Sequence, residues 1–205
     1  FYNKISKIKY TNPNKYIKIN FSNSKYNGDY TLNQAKLELI KENKDILVKG
    51  GRDNALKILS NINKFNNYSK NRNVLTYNTT ALSAYIKFGC VSVREVAEKF
   101  NKNKELFKQL IWREFYAHIL NDYPYVLNGP LKEKYKGISW SKSIKNLDAW
   151  KNGETGFPIV DAAMREMNIT GYMHNRGRLI VASFFNKNLA YKLERRREIF
   201  CNKVN

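Results

Sequence analysis

The sequence predicts an all-α fold, a cluster of many helices. Three observations carry that expectation. Apolar residues recur at three- and four-residue spacing from Thr79 onward, capping residues punctuate them, and no stretch has the alternation of a half-buried strand. There is no internal repeat, and 205 residues suffice for one domain that buries roughly 70% of its unfolded surface.

Each element has its own reason. Residues 1–30, rich in lysine, asparagine and tyrosine, read as a linker or surface wrap, with Phe1, Ile5 and Ile8 as a small apolar face. The helical domain is expected over 31–205. Thr31 caps a helix over 32–42, with Leu32, Ala35, Leu39 and Ile40 on one side. Gly50-Gly51 breaks the chain, and 52–65 follows with Leu56, Leu59 and Ile62 at helical spacing. An asparagine-rich loop, 66–78, holds Tyr68 and Arg72. TTALSAYIKFG makes a helix capped by Thr79 or Thr80 and stopped by Gly89. Ser92 and Glu95 form a capping box for a helix over 92–101. The amphipathic run ELFKQLIWREFYAHIL predicts a helix over 104–121, ended before Asp122 and Pro124. A loop over 122–153 carries Trp140 and Trp150. Pro158 opens a helix over 158–168, with Ile159, Ala162, Ala163 and Met167 inward. Helices over 171–186 and 189–202 complete the chain, the last containing Arg195, Arg196 and Arg197.

Composition narrows the function. Hydrophobic residues make up 42% and aromatics 14%, which suits a packed globule. No apolar run approaches the roughly 20 residues of a membrane span, and no charged-then-apolar leader opens the chain. The expected location is cytoplasmic, or nuclear in a eukaryotic or viral setting. Cys90 and Cys201 lack CxxC or Cys/His spacing, so neither a disulfide framework nor a metal site is expected. The net charge of +20 points to a polyanion such as nucleic acid. Because 27 of the 37 basic residues are lysine, an AT-rich genome accounts for part of that excess.

Three constellations could carry chemistry. In Tyr68, Arg72, Thr79-Thr80-Ala81-Leu82-Ser83, hydroxyls at a helix start either cap the helix or bind phosphate oxygens. Gln109, Trp112, Arg113 and Tyr116 share one helix face, which could stack a planar ring and hydrogen-bond its edge, or could belong to an ordinary amphipathic helix. In TGYMHNRGRL, residues 170–179, Arg176 and Arg178 add charge where the first N–H groups of a helix lack partners. That arrangement suits an anion, or a capped core helix with two solvated arginines.

Taken in order over 50–185, the three motifs resemble the flavin-binding helical domain of the photolyase/cryptochrome family, class I cyclobutane pyrimidine dimer photolyases in particular. GGRDNALKIL, KFGCVSVREV and AWKNGETGFPIVDAAMR extend the likeness. The resemblance implies FAD as cofactor, held by Tyr68, Arg72, Thr79, Thr80, Leu82, Ser83, Arg113, Asn175 and Arg178. It implies DNA containing pyrimidine dimers as partner, met by Gln109, Trp112, Tyr116, Met173, Asn175, Arg176 and Leu179, and a monomer. Gln109 and Trp112 would act at the dimer, and Trp140 would be the outermost electron-transfer tryptophan. The implied activity is that of a deoxyribodipyrimidine photo-lyase, a blue-light-driven, flavin-dependent DNA repair enzyme. A cryptochrome-like photoreceptor and a cofactor-free DNA-binding remnant are the alternatives.

The likeness has gaps. Ala81 stands where an arginine is usual, Gln109 where many photolyases have glutamate, and Leu193 where the middle electron-transfer tryptophan is expected. The family's N-terminal α/β domain, with its folate or deazaflavin antenna, is absent, as is the D-x-D-x-A-x-N segment. Phe1 in place of an initiator methionine and the stop at Asn205 suggest a chain truncated at both ends, whose isolated form is expected to be inactive.

Overall fold

The computed structural model describes residues 43–192, together with Lys4, Asn33 and Gln34. The readings for residues 1–30, for the body of the 32–42 helix, for Leu193 and for Arg195 to Arg197 lie outside the described residues. Among the described residues there is helix and turn and no strand, as the sequence predicts.

The helices are α1 (Arg52–Ser60), α2 (Tyr68–Asn71), α3 (Leu82–Lys87), α4 (Val93–Phe100), α5 (Lys104–Asp122), α6 (Ile144–Asn152), α7 (Pro158–Thr170) and α8 (Asn175–Ser183). Short 3₁₀ turns lie at Ile62–Phe65, Pro124–Leu127 and Glu133–Tyr135, and α8 runs into a π-type turn at Phe184–Asn188. None of the described helices is long and apolar enough to cross a membrane.

The capping box at Ser92 and Glu95 and the stop at Gly89 are present as read from the sequence, and α5 has a cap that the sequence reading did not single out. Ser92 accepts from the Glu95 N–H at 3.1 Å, while the Glu95 carboxylate accepts from the Ser92 N–H at 2.8 Å. Asn103 caps α5 by accepting from the Leu106 N–H at 3.1 Å. Gly89 lies past the end of α3 with φ +69°, and the Cys90 N–H closes back on the Tyr85 carbonyl at 2.9 Å.

Five expectations are corrected. The helix predicted over 52–65 ends at Ser60 and restarts as a 3₁₀ turn, so Leu59 is buried while Leu56 is exposed. The start of α3 is capped by neither threonine: Ala81 occupies that position in the left-handed region, φ +50°, and the Thr80 hydroxyl reaches the Leu82 N–H only at 3.4 Å. The expected 122–153 loop contains α6, capped by Ser143, and Trp150 on it is fully buried. On α7 the inward set is Val160, Ala163, Met164 and Met167, whereas Ile159 and Ala162 face out. Asp161, also buried, points back into the preceding loop, where it accepts from Thr155 and Gly156. Finally, residues 171–174 are not helical. Gly171 terminates α7 with φ +68°, and α8 begins at Asn175.

Two cores result. One gathers Ala55, Leu59, Leu82, Tyr85, Val96, Phe100, Leu106 and Leu110 from α1, α3, α4 and α5. The other gathers Leu147, Trp150, Val160, Met164, Met167, Met173, Val181 and Phe185 from α6, α7, α8 and the π turn. Two glycines make the second possible. Gly153 has φ +72°, and a Cβ there would lie 2.8 Å from the Asp161 carbonyl oxygen. Gly177 lets α8 approach α7, where a Cβ would meet Ala163 and Met173 at 3.3 Å.

Candidate functional site

A cleft of about 270 Å³ opens along the seam between the two cores. One wall is Tyr77, Asn78, Thr79, Thr80 and Ala81, backed by Val48, Ile58, Phe65 and Tyr85; Glu166, Tyr172 and His174 form the other. The second wall is shaped by the end of α7. The Thr170 hydroxyl donates to the Glu166 carbonyl at 2.7 Å and accepts from the Tyr172 N–H at 3.2 Å, turning the chain directly into 172–174. The seam is pinned below by Leu47 N–H to the Thr170 carbonyl at 3.2 Å and by the Asn43 amide to the Ile169 carbonyl at 2.8 Å.

Residues far apart in sequence meet here. The Arg176 guanidinium donates to the Asn73 side chain, tying α8 to the loop after α2 across 103 positions. Tyr68 is surrounded by Arg72, Tyr172, Glu105 and Arg176. Burial raises its phenol above the ordinary value, Tyr172 and Glu105 push the same way, and the two arginines oppose. Arg178 donates Nε–H to the Met173 carbonyl at 2.9 Å and lies 5.3 Å over the Tyr172 ring. Two halves of the chain thus meet at Tyr172: Thr79 and Thr80 share its cleft, Tyr68 interacts with it and with Arg72 and Arg176, and Arg178 lies over its ring.

Other predicted residues sit differently. Leu82 and Met173 are core residues, at 2% and 1% exposure, so their side chains are not available to a ligand and only their backbones could be. The reason is packing: Leu82 fills the first core and Met173 seats against Gly177. Ser83, Asn175 and Arg178 are exposed. Arg113 is exposed and paired with its neighbour Glu114, and the Gln109 amide donates to the Glu105 carbonyl one turn back at 3.1 Å. Trp112, Phe115 and Tyr116 make an aromatic ridge on α5. Trp112 is edge-on to Phe115 at 5.4 Å and stacked with Tyr116 at 6.1 Å, with Trp112 47% and Tyr116 64% exposed. Leu179 is likewise exposed. Trp140 borders a different groove of about 1080 Å³, with Leu131, Tyr135, Ile138, Lys187 and Lys192 among its lining.

The sequence reading passed over Asn73, Glu166 and the specific part played by His174. Asn73 had no signal, being one asparagine in an asparagine-rich loop. Glu166 lies on the helix before the motif, and its carboxylate is the acceptor for the His174 N–H at 3.4 Å. His174 is 5% exposed and caps α8, its Nδ1 accepting from the Arg176 N–H at 3.1 Å.

The helical architecture and the sequence have counterparts among known proteins. Residues 106–205 match the family model for the FAD binding domain of DNA photolyase. The deoxyribodipyrimidine photo-lyase of Neurospora crassa is 42% identical over 137 residues, which are 60% of this chain and 22% of that protein. That of Buchnera aphidicola from Acyrthosiphon pisum is 40% identical over 154 residues, 68% of this chain and 32% of that protein. The chain therefore spans about a fifth to a third of these relatives. Among solved structures, the archaeal photolyase from Sulfolobus tokodaii, crystallised with two FAD molecules, superposes with a TM-score of 0.73 at 32% identity, over 80% of this chain and 38% of that one. With sequence, helical fold and meeting motifs in accord, the chain belongs to the photolyase/cryptochrome family and carries part of its helical FAD-binding domain.

Proposed function

We propose that this chain is the flavin-holding part of a cyclobutane pyrimidine dimer photolyase. The observation that carries the reading is the meeting at Tyr172, which shares its cleft with Thr79 and Thr80, interacts with Tyr68 beside Arg72 and Arg176, and lies under Arg178. The donor set fits a phosphate-bearing cofactor: hydroxyls on Thr79, Thr80 and Ser83, and guanidiniums on Arg72 and Arg178 that no described carboxylate neutralises through a salt bridge. FAD, when bound and reduced, supplies the light-driven electron donation that splits a dimer.

The chain's own residues bind and orient. Asn175, at the first position of α8, offers an amide beside Arg178 for the flavin. The Trp112–Tyr116 ridge offers an apolar stacking surface for a base turned out of the duplex, with Gln109 one turn away on the same face. Arg176 and the lysine-rich surface meet DNA phosphates, which makes the affinity steeply salt-dependent. Leu179, exposed on α8, is a further apolar contact for the lesion. Trp140, at its own groove, would serve as the outer electron-transfer residue. An antenna chromophore and a monomeric state complete the reading. The isolated 205 residues are proposed to bind FAD poorly and to repair nothing.

A photoreceptor reading is favoured by one observation: the Synechocystis cryptochrome superposes with a TM-score of 0.68 at 29% identity. The test is to incubate the chain with FAD, remove free ligand and record flavin absorbance, then to measure binding of dimer-containing against undamaged DNA. A preference for damaged DNA that Trp112→Ala abolishes supports the photolyase reading, while stoichiometric retained flavin would overturn the expectation that the isolated chain binds FAD poorly. A chain that binds damaged and undamaged DNA alike refutes the photolyase reading.

A further inference from the structure

The helix that presents Asn175, Arg176 and Arg178 is capped by an imidazole rather than by a hydroxyl, carboxylate or amide. We propose that His174 is a positioning residue: its neutral form holds the first turn of α8 against the Asn73 loop, and its protonation releases that turn.

The argument begins with which nitrogen carries the proton. Nδ1 accepts from the Arg176 N–H at 3.1 Å, so its lone pair is committed. A neutral imidazole then carries its hydrogen on Nε2. That Nε2 is buried, and it finds no hydrogen-bond partner among the described residues. The next proton can add only to Nδ1, the atom already serving as the cap. Cap and charge are therefore mutually exclusive, which is not true of a serine, threonine or asparagine at such a position. The backbone joins the same arrangement, since the His174 N–H points to the Glu166 carboxylate at 3.4 Å.

The charged groups acting on the ring are Glu166 on α7 and Arg176 on α8, and Tyr172 in the turn between lines the same cleft; Tyr68 and Arg72 act on this site only through Arg176 and Tyr172. Burial pushes the imidazole below its ordinary value, Glu166 opposes, and Arg176 adds to the fall. The cap is consequently intact at neutral pH and is lost on acidification. Release of the turn would free the Arg176 side chain from Asn73 and displace Asn175 and Arg178. The consequence for a bound flavin rests on the function proposed above, but the cap itself does not.

The test is hydrogen exchange of backbone amides in the 205-residue chain, with the His174 imidazole followed by NMR through the same pH series. After correction for the intrinsic pH dependence of exchange, the Arg176 amide should exchange roughly fivefold faster once His174 is protonated, with the same midpoint. His174→Asn, which caps without titrating, should keep slow exchange throughout, and His174→Ala should be fast throughout. Equal protection of Arg176 above and below the imidazole titration would overturn the proposal, as would full protection in His174→Ala. Should a variant fail to fold, the titration of the unsubstituted chain decides alone. The readout involves neither flavin nor DNA. A chain that binds damaged and undamaged DNA alike but shows the coupled titration refutes the proposed function and leaves the cap standing.

Discussion

The two cores of this molecule are built from different materials. The first, under α1, α3, α4 and α5, is largely aliphatic, and its ion pair sits at the surface: Arg52 pairs with Glu95 at 2.5 Å and extends the Ser92 capping box. The second, under α6, α7 and α8, packs rings and thioethers. Trp150 lies 4.5 Å from Phe185, Phe185 stacks on Tyr191 at 5.0 Å, and Met164, Met167 and Met173 fill between. It also buries two polar side chains, Asp161 and His174, each at the entry to a helix. Asp161 accepts from the Thr155 N–H at 2.8 Å, the Thr155 hydroxyl at 2.6 Å and the Gly156 N–H at 2.9 Å. The lesson is a division of labour. Aliphatic burial is tolerant of detail, whereas buried hydrogen bonds hold the loops before α7 and α8 in one geometry. The functional seam runs between a tolerant wall and an exacting one.

The largest expected effect removes the keystone of the exacting side. Trp150→Ala should cost about 3–5 kcal/mol, against about 2–5 kcal/mol for Leu59→Ala in the first core. Thermal unfolding combined with amide exchange would show whether each substitution loosens both cores or only its own. If both cores open together in each variant, the two regions are one cooperative unit and the contrast is only compositional.

Next in size, Asp161→Ala should cost about 1–3 kcal/mol, because it removes three part-buried hydrogen bonds from Thr155 and Gly156. Burial alone would raise this carboxyl, but the hydrogen bonds from Thr155 and Gly156 outweigh it and hold it below its ordinary value. The folded state therefore favours the charged form. That contribution is complete above the unfolded carboxylate range and is lost as pH falls toward the folded value. A urea series across acidic pH, flattened in Asp161→Asn, checks the sign.

On the tolerant side, Ser92→Ala should cost about 1 kcal/mol. The Arg52 side chain, then the Ser92 backbone N–H, hold the Glu95 carboxyl down to about 2. Its contribution is thus present above the usual glutamate range and disappears as pH drops toward about 2. If Glu95→Gln weakened the molecule as much as Asp161→Ala, the proposed asymmetry between the cores would fail.

The smallest effect concerns Ala81. Its φ of +50° strains any residue with a Cβ, so Ala81→Gly should stabilise by up to about 1 kcal/mol, read from the denaturation midpoint. A loss of stability would mean that the Ala81 methyl packs usefully in the seam.

Much of this was legible in the residues. The capping box at Ser92 and Glu95, the stop at Gly89, the long α5 and the helical class all follow from local rules. Backbone N–H groups at helix ends need partners, and only certain side chains within three positions supply them. The three motifs could likewise be read as candidates because their residue types are unusual together. The errors fell where the answer lay outside the local window. Ile159 and Ala162 fit the inward face as well as Val160 and Met164 do, and the hydrogen bonds that tie Asp161 to the loop behind it are not visible in that window. The helix holding Trp150 is too short and too polar on its outer side for periodicity to announce it.

By itself, then, the sequence determined the helices with strong caps and the chemical inventory of the site: hydroxyls, guanidiniums, an aromatic ridge and an imidazole. Only the tertiary structure decided which of them share a space. It put Arg176 on Asn73, sent Leu82 and Met173 into the cores, set Trp140 at a separate groove and made His174 a cap. The physical reason is range. Caps and periodicity act over a few residues, whereas the seam forms when two cores, each burying its own apolar faces, bring together segments a hundred positions apart.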